Sequence, residues 1–427
     1  MIQALTIAYD LLTFVLLPLC MCLQPILQTI LNLVFGPRKQ DIRPDSAIVH
    51  HVLINLKMHF AWPNGTDKFL IKFKKVVDIS VIEQADVFLS GVTAKEFHFI
   101  RTEPGINVTD MDKYPLVYFT LYDHAIELIT IPHETVYRYL RGKPGRDGGN
   151  ITLLHNIGRC GSTLVAHMVY KTGQCQVLSE PFPLLESIVL TNKLHGSQLN
   201  DGENNLDMLK ATLLLLCKIP EERYFIKVTG IFTGNSVQLI HRVLPGTKDL
   251  FLYRALVPTL TSFNRILGRI YFPTMGLDAT FDALPTKYRR IWEKVKVSGL
   301  HERFFFILLS QMHPYYLESL DRNNMKSYSY ESLLKDKEGF CKSLLSEIGI
   351  GEEWVPLALS ALKKDSQENT PISRKNGAGI TGPMISREAL SWTKRIGREE
   401  FGMEIEEEDC RVTNVPFSWT EHSHRNG

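Results

Sequence analysis

The chain changes character at residue 150, and the pattern that follows restricts the fold more than any other feature. Short apolar runs such as ITLLHNI and KDLFLYRA alternate with segments of helical periodicity such as LVAHMVYKTG and SVQLIHRVL. Strands that alternate with helices usually form a parallel sheet. We therefore predict an α/β fold with a doubly wound parallel sheet, in which ligands bind at the carboxyl ends of the strands.

The segment HNIGRCGSTLVAHMV, residues 155–169, joins the first of these strands to a helix. Its glycines and hydroxyls can present hydrogen-bond donors to an anion at a helix N-terminus. A Walker A loop would carry a Lys directly after the second Gly, whereas here Ser162 and Thr163 follow Gly161 and the cation, Arg159, precedes it. The segment indicates a phosphate-binding loop without the usual γ-phosphate lysine; a glycine turn that binds no ligand is the alternative.

Arg-Cys-Gly-Ser-Thr at a strand–helix junction resembles the 5′-phosphosulfate-binding loop of the P-loop sulfotransferase family. Members of this family move a sulfuryl group from PAPS (3′-phosphoadenosine 5′-phosphosulfate) to a hydroxyl or amine, with no metal at the loop. The resemblance covers about residues 151–379. It implies that PAPS is the co-substrate and that the following residues contact it: Arg159, Cys160, Gly161, Ser162 and Thr163.

The same resemblance implies a separate site for the 3′-phosphate of PAPS. Arg254 follows the KDLFLY strand, and Ser262 lies eight positions later on the next helical segment, as in the family pattern. Arg374 and Lys375, in SRKNGAG, are similar to a late basic loop that closes on the 3′-phosphate; an ordinary exposed turn has the same composition.

The catalytic residues are less directly implied. Arg159 is always charged, so we expect it to stabilise negative charge rather than to transfer a proton. Cytosolic sulfotransferases carry a catalytic His where this chain has Thr229, so another base is needed. Glu180 follows Arg159 by twenty-one positions, a spacing similar to that of the base in tyrosylprotein sulfotransferases. Lys227 either contacts the sulfonate or only closes a strand, and Glu180 is alternatively a solvated charge.

Four regions are predicted along the 427 residues: a membrane anchor (1–37), a small β-rich N-terminal domain (38–149), the sulfotransferase-like domain (150–410) and a C-terminal tail (411–427). In the second region, YPLVYFTLYDHAIELITI, residues 114–131, is interpreted as two strands joined by a polar turn. Gly and Pro in RGKPGRDGGN mark the boundary that follows. The helical segments beyond residue 284 carry apolar residues at core spacing.

The first region contains an uncharged stretch from Leu11 to Gly36, about the ~20 residues that span a bilayer. Pro and Gln interrupt it, so a kinked single-pass anchor is expected, with a membrane hairpin, an interfacial segment or a buried core helix as the alternatives. Basic residues after the stretch favour a cytosolic body. Sequons at Asn64, Asn107 and Asn150, together with the family resemblance, favour the Golgi and secretory pathway.

Charge and cysteine content narrow the partners. A net charge of +2 gives no overall field that would gather nucleic acid, so no nucleic-acid partner is expected. The seven cysteines show no zinc spacing, and no metal is predicted; disulfides among Cys175, Cys217, Cys341 and Cys410 stay open. We expect a PAPS-dependent sulfotransferase acting on a glycan, peptide or lipid-like hydroxyl; a P-loop kinase and an inactive binding protein of the same fold are the alternatives.

Overall fold

The computed structural model describes most of the chain in twelve stretches. These are residues 23–37, 43–55, 68–143, 145–196, 202–228, 236–267, 286–295, 300–320, 325–368, 385–406, 409–415 and 418–419. Four residues that the sequence singles out lie outside these stretches: Asn64, Thr229, Arg374 and Lys375.

The first described element is a helix, α1, at residues 23–35, within the predicted membrane anchor; residues 1–22 lie outside the described part. Gln24 Nε2 donates to Phe69 O at 3.1 Å, and Gln28 exchanges two hydrogen bonds of 3.0 Å with the backbone of Ile71. Among the described residues, no helix is both long enough and apolar enough to cross a bilayer. The predicted single-pass membrane localisation is therefore wrong here, because the glutamines that interrupt the apolar stretch bind a strand of the protein.

An antiparallel sheet follows α1. Its five strands are β1 (Ser46–Asn55), β2 (Phe69–Asp78), β3 (Val87–Val92), β4 (Glu96–Thr102) and β5 (Ala125–Pro132). They lie in the order β2-β1-β5-β4-β3, and every pairing is antiparallel. β2 is an edge strand, so the glutamines of α1 occupy backbone groups that would otherwise be exposed.

The segment 114–131 differs from its prediction of two strands. Val117–Asp123 forms a helix, α2, and only the second half, β5, is a strand. Val117, Thr120 and Leu121 are the buried residues of α2, which is helical spacing. The error has a physical cause: in a run this rich in β-branched and aromatic residues, burial of one helical face overrides strand propensity.

A six-stranded sheet, parallel throughout, is formed by strands that follow residue 150 and confirms the α/β prediction. Its strands are β6 (Ile151–Asn156), β7 (Gln176–Ser179), β8 (Tyr224–Lys227), β9 (Lys248–Tyr253), β10 (Met325–Ser329) and β11 (Ser418–Trp419). The order is β11-β10-β9-β6-β8-β7. The chain leaves β6 first to one side and later to the other, so the end of β6 is a topological switch point.

Twelve further described helices surround the two sheets. They are α3 (His133–Arg141), α4 (Ser162–Lys171), α5 (Phe182–Gly196), α6 (Gly202–Leu216), α7 (Ser236–Val243), α8 (Leu256–Leu267), α9 (Thr286–Val295), α10 (Leu300–Glu318), α11 (Tyr330–Lys335), α12 (Lys337–Glu347), α13 (Val355–Leu359) and α14 (Arg387–Phe401). Short 3-10 turns lie at Ile79–Glu83, Glu352–Trp354 and Ser360–Lys363.

Helix α6 joins the two sheets because it is apolar on two faces. Met208 and Leu215 belong to a buried cluster with Phe97 of the antiparallel sheet. Leu209 and Leu213 belong to a second cluster with strands of the parallel sheet. A helix buried on both sides fixes the antiparallel sheet against the parallel one.

The cysteines contribute no cross-links in the described part of the chain. Cys160, Cys175, Cys217, Cys341 and Cys410 form no disulfide with one another. The possible disulfides are therefore not formed here, and packing and polar contacts hold the described elements together.

A buried carboxylate on β9 stabilises the parallel sheet. Asp249 Oδ1 lies 2.5 Å from Nε2 of His155 on β6, and its Oδ2 lies 2.5 Å from Nε2 of His241 on α7. Asp249 and His155 have fully buried side chains. Burial pushes the pKa of Asp249 up, but the hydrogen bonds from His155 and His241 outweigh burial and leave this pKa below its ordinary value.

We expect Asp249→Asn to lower the free energy of unfolding by about 3–5 kcal/mol, because one partner of a buried pair is removed. Urea denaturation measures the loss. Asp207→Asn, at an exposed position on α6, is the matched control and should change stability by less than about 0.5 kcal/mol. An Asp249→Asn protein as stable as the wild type would contradict the assignment.

The cluster also predicts a pH dependence. The hydrogen bond to Asp249 raises the pKa of His241, so its stabilisation is complete below about pH 6.5 and is lost as pH rises through the folded pKa. The lowered pKa of Asp249 adds stability above about pH 4 that is lost on acidification. In the wild type, the free energy of unfolding should fall on acidification below about pH 4 and should also fall as pH rises through the folded pKa of His241. Both changes should be smaller in Asp249→Asn.

Candidate functional site

The loop between β6 and α4 is organised by the last residue of β6. Asn156 Oδ1 accepts from Gly158 N at 3.0 Å and from Ser162 Oγ at 3.2 Å, while its Nδ2 donates to Val228 O at 2.6 Å. One amide therefore ties the start of the loop, its end and the neighbouring strand together. The closed loop leads directly into the N-terminus of α4, where the helix dipole favours an anion.

Gly161 caps α4 in the left-handed conformation, with φ +87°. A Cβ at this position would lie 2.5 Å from the ring of Tyr330, the first residue of α11. Conformation and space both require glycine here. The close approach packs the loop directly against the end of β10.

Arg159 lies at the centre of the loop, also with a left-handed φ, +50°. Its Nε donates to Ser262 Oγ at 3.0 Å, and its Nη1 donates to Gln367 Oε1 at 2.9 Å. Arg254 Nη1 in turn donates to the carbonyl oxygen of Arg159 at 3.3 Å. The three predicted residues Arg159, Arg254 and Ser262 thus lie together, although Arg159 is about a hundred positions from the other two in sequence.

Arg254 follows β9, and its guanidinium lies 4.8 Å from the ring centroid of Tyr330, a cation–π distance. Its buried Nε has no hydrogen-bond partner in the described part of the chain. Burial lowers the pKa of Arg159; Glu180 opposes this shift and Arg254 adds to it. Two neighbouring half-buried guanidiniums, one of them with a buried donor that has no partner in the described part of the chain, are the kind of groups that bind an anion.

The other predicted loop residues have distinct surroundings. Cys160 is fully buried, and its Sγ lies 3.4 Å from Leu252 O, so its side chain points into the core and burial raises the pKa of its thiol. Ser162 Oγ donates its hydrogen to Asn156. Thr163 Oγ1 instead accepts from Gln367 Nε2 at 3.5 Å. The hydrogen of the Thr163 hydroxyl is therefore available to another acceptor, whereas that of Ser162 is used by Asn156.

The predicted base lies beside the predicted lysine. Glu180 directly follows β7 with φ +54°, and its backbone N–H donates to Lys227 O at 2.9 Å. The buried Lys227 Nζ contacts Glu180 Oε1, whose side chain keeps 22% of its exposure. The pair is held by its strands and yet remains accessible to solvent through the carboxylate.

Several residues that complete this edge are not singled out by the sequence. Tyr118, on α2, packs its ring 4.3 Å from that of Phe182; burial and the charge of Glu180 raise the Tyr118 pKa well above its usual value. Asn156 and Gln367 are the others. Residue identity alone offers no signal for them, because an amide or a ring becomes informative only beside its partner.

We expect Gly161→Ala to destabilise the protein by about 1–3 kcal/mol, because the methyl group meets the Tyr330 ring and the backbone is left-handed. Gly173→Ala separates the two causes, since Gly173 has φ +67° but no atom within 4 Å of the point where a Cβ would lie. Thermal unfolding should show the larger loss for Gly161→Ala. Equal losses would mean that the contact with Tyr330 contributes nothing.

No protein-family model and no curated protein sequence matches the chain. Solved structures that match include retinol dehydratase with androsterone and the inactive cofactor PAP (13% identity, TM-score 0.35, 67% of this chain and 89% of that one). A sulfotransferase from Alicyclobacillus acidocaldarius (11%, 0.34, 60% and 93%) and a mouse sulfotransferase complexed with PAP (12%, 0.35, 62% and 88%) also match. The solved structures to which this chain is similar thus include sulfotransferases.

Proposed function

We propose that this protein is a PAPS-dependent sulfotransferase of the type that transfers to a hydroxyl or amine. The observation that carries the proposal is the convergence of Arg159 and Arg254 on a glycine-bearing loop at the switch point of the parallel sheet. Two fixed cations and a helix N-terminus suit a ligand with separate anionic groups. The loop has no lysine after Gly161 to bind a γ-phosphate.

The residues present fit such a donor. The unused Nε of Arg254 can bind the 3′-phosphate. The backbone of Gly161 and the hydroxyl of Thr163 would hold the 5′-phosphate, and Arg159 would contact the sulfonate. Ser262 accepts a hydrogen bond from Arg159 and would act on the sulfuryl donor by orienting that side chain. Ser162 and Cys160 would contribute backbone groups, and Arg374 and Lys375 stay predictions.

In the proposed reaction the acceptor oxygen forms a bond to sulfur while the bond from sulfur to the bridging phosphate oxygen breaks. Glu180 takes the acceptor's proton, and Lys227 holds the carboxylate in place and offsets charge near the sulfonate. Arg159 stabilises the negative charge that develops on the leaving group. The products are a sulfated acceptor and PAP.

On the acceptor side, Tyr118 and Phe182 form an aromatic contact beside Glu180. We propose that the antiparallel sheet, through α2, thereby contributes to the acceptor site, whether the acceptor is a glycan, a peptide or a lipid-like alcohol. This assigns a role to two residues that no sequence motif marks.

We expect Arg159→Ala and Arg254→Ala each to weaken PAPS binding about tenfold to a hundredfold, because each removes a charge-assisted hydrogen bond. Isothermal titration calorimetry measures the dissociation constants. Arg223→Ala is the control, since Arg223 directly precedes β8, at the amino ends of the parallel strands, and donates to Gly349 O. Absent PAPS binding by the wild type, or tight magnesium-dependent ATP binding in its place, would contradict the function.

Glu180→Gln should leave PAPS affinity within about threefold of the wild type and lower the rate of PAP release about a hundredfold or more, because an amide cannot accept the proton. The assay follows PAP release from PAPS with pooled hydroxyl acceptors. Glu347→Gln, at an ion pair with Lys326 away from the loop, serves as control. Normal turnover in Glu180→Gln would show that the base is another group.

A further inference from the structure

Gln367 lies on a short turn that is fixed to the loop helix. The 3-10 turn Ser360–Lys363 precedes it, and Leu359 and Leu362 pack against the apolar cluster that contains residues of α4. Asp365 closes the turn: its Oδ1 accepts from Gln367 N at 3.1 Å and its carbonyl accepts from Glu368 N at 3.0 Å. The position of Gln367 relative to α4 is therefore set by packing and by two hydrogen bonds.

The amide of Gln367 contacts two loop residues at once. Its Oε1 accepts from Arg159 Nη1 at 2.9 Å, and its Nε2 donates to Thr163 Oγ1 at 3.5 Å. The oxygen and nitrogen of the amide are assigned by these bonds, because a guanidinium can only donate. Gln367 thus spans the two side chains that we place nearest the phosphosulfate.

The direction of each bond determines what the loop can offer an anion. Ser262 and Gln367 accept from different nitrogens of Arg159, which fixes the plane of the guanidinium. Thr163 accepts from Gln367, so the hydrogen of its own hydroxyl is directed to another acceptor. The Gln367 amide accepts from Arg159 and donates to Thr163, so both of these side chains can still donate a hydrogen bond to the ligand.

We propose that Gln367 is a positioning residue for the sulfuryl donor, orienting Arg159 and Thr163 for the phosphosulfate. The inference rests on the proposed function and adds a residue that acts through two others. It also explains why an amide suits this position. A carboxylate would neutralise the charge of Arg159, accept the hydrogen of the Thr163 hydroxyl and repel the anionic ligand.

The experiment compares Gln367→Met with Gln367→Glu, two variants of similar size. Calorimetry with PAPS should give a dissociation constant about tenfold higher for the Met variant and about a hundredfold higher for the Glu variant. A purely structural role would give equal effects. Gln174→Ala, near the other end of α4, where Gln174 bonds to Thr172 in the turn that ends the helix, is the control and should bind normally.

A combined Arg159→Ala/Gln367→Met variant tests whether the effect runs through Arg159. We expect its loss of PAPS affinity to be smaller than the combined losses of the two single variants, because the effects of residues in one network are not additive. Urea denaturation of each variant gives a readout that is independent of the ligand and should show all of them folded.

The outcomes separate this inference from the proposed function. If the wild type binds PAPS and Arg159→Ala weakens binding while both Gln367 variants bind normally, the positioning role is wrong and the function stands. The same holds if the Met and Glu variants lose affinity equally. If the wild type does not bind PAPS, the proposed function fails, and the role of Gln367 fails with it.

Discussion

The geometry of the site depends on one backbone constraint, the left-handed turn that runs from Gly158 to Gly161. Gly158, Arg159 and Gly161 all have positive φ angles, and a non-glycine residue in this region costs about 1–2 kcal/mol. The surroundings offset this cost: Asn156 closes the loop from inside and Tyr330 packs against it from outside. Because the turn is fixed, the guanidinium of Arg159 donates to Ser262 and Gln367, and the backbone carbonyl of Arg159 accepts from Arg254.

The second organising fact is that the site side chains directly follow parallel strands. Glu180 follows β7, Lys227 ends β8 and Arg254 follows β9. Parallel strands bring their carboxyl ends to one edge, so residues far apart in sequence become neighbours there. The sequence could predict this edge, because strand–helix alternation defines it and the loop motif marks it.

Other parts of the site could not be predicted, for reasons that are local. The residues of α2 favour a strand, so the sequence predicts a strand there and does not predict the approach of Tyr118 to Glu180. Cys160 belongs to the loop motif, yet a motif does not show that its side chain turns into the core. Gln367 acts through two hydrogen bonds across about two hundred positions, and only tertiary structure brings such partners together.

A crystal structure of the protein with PAP would test the central claim most directly. The proposed site predicts the 5′-phosphate at the N-terminus of α4, against Gly161 and Thr163, and the 3′-phosphate within hydrogen-bonding distance of Arg254 Nε, the donor that lacks a protein partner in the described part of the chain. PAP bound elsewhere on the molecule, or bound here with Arg254 Nε facing away from both phosphates, would contradict it.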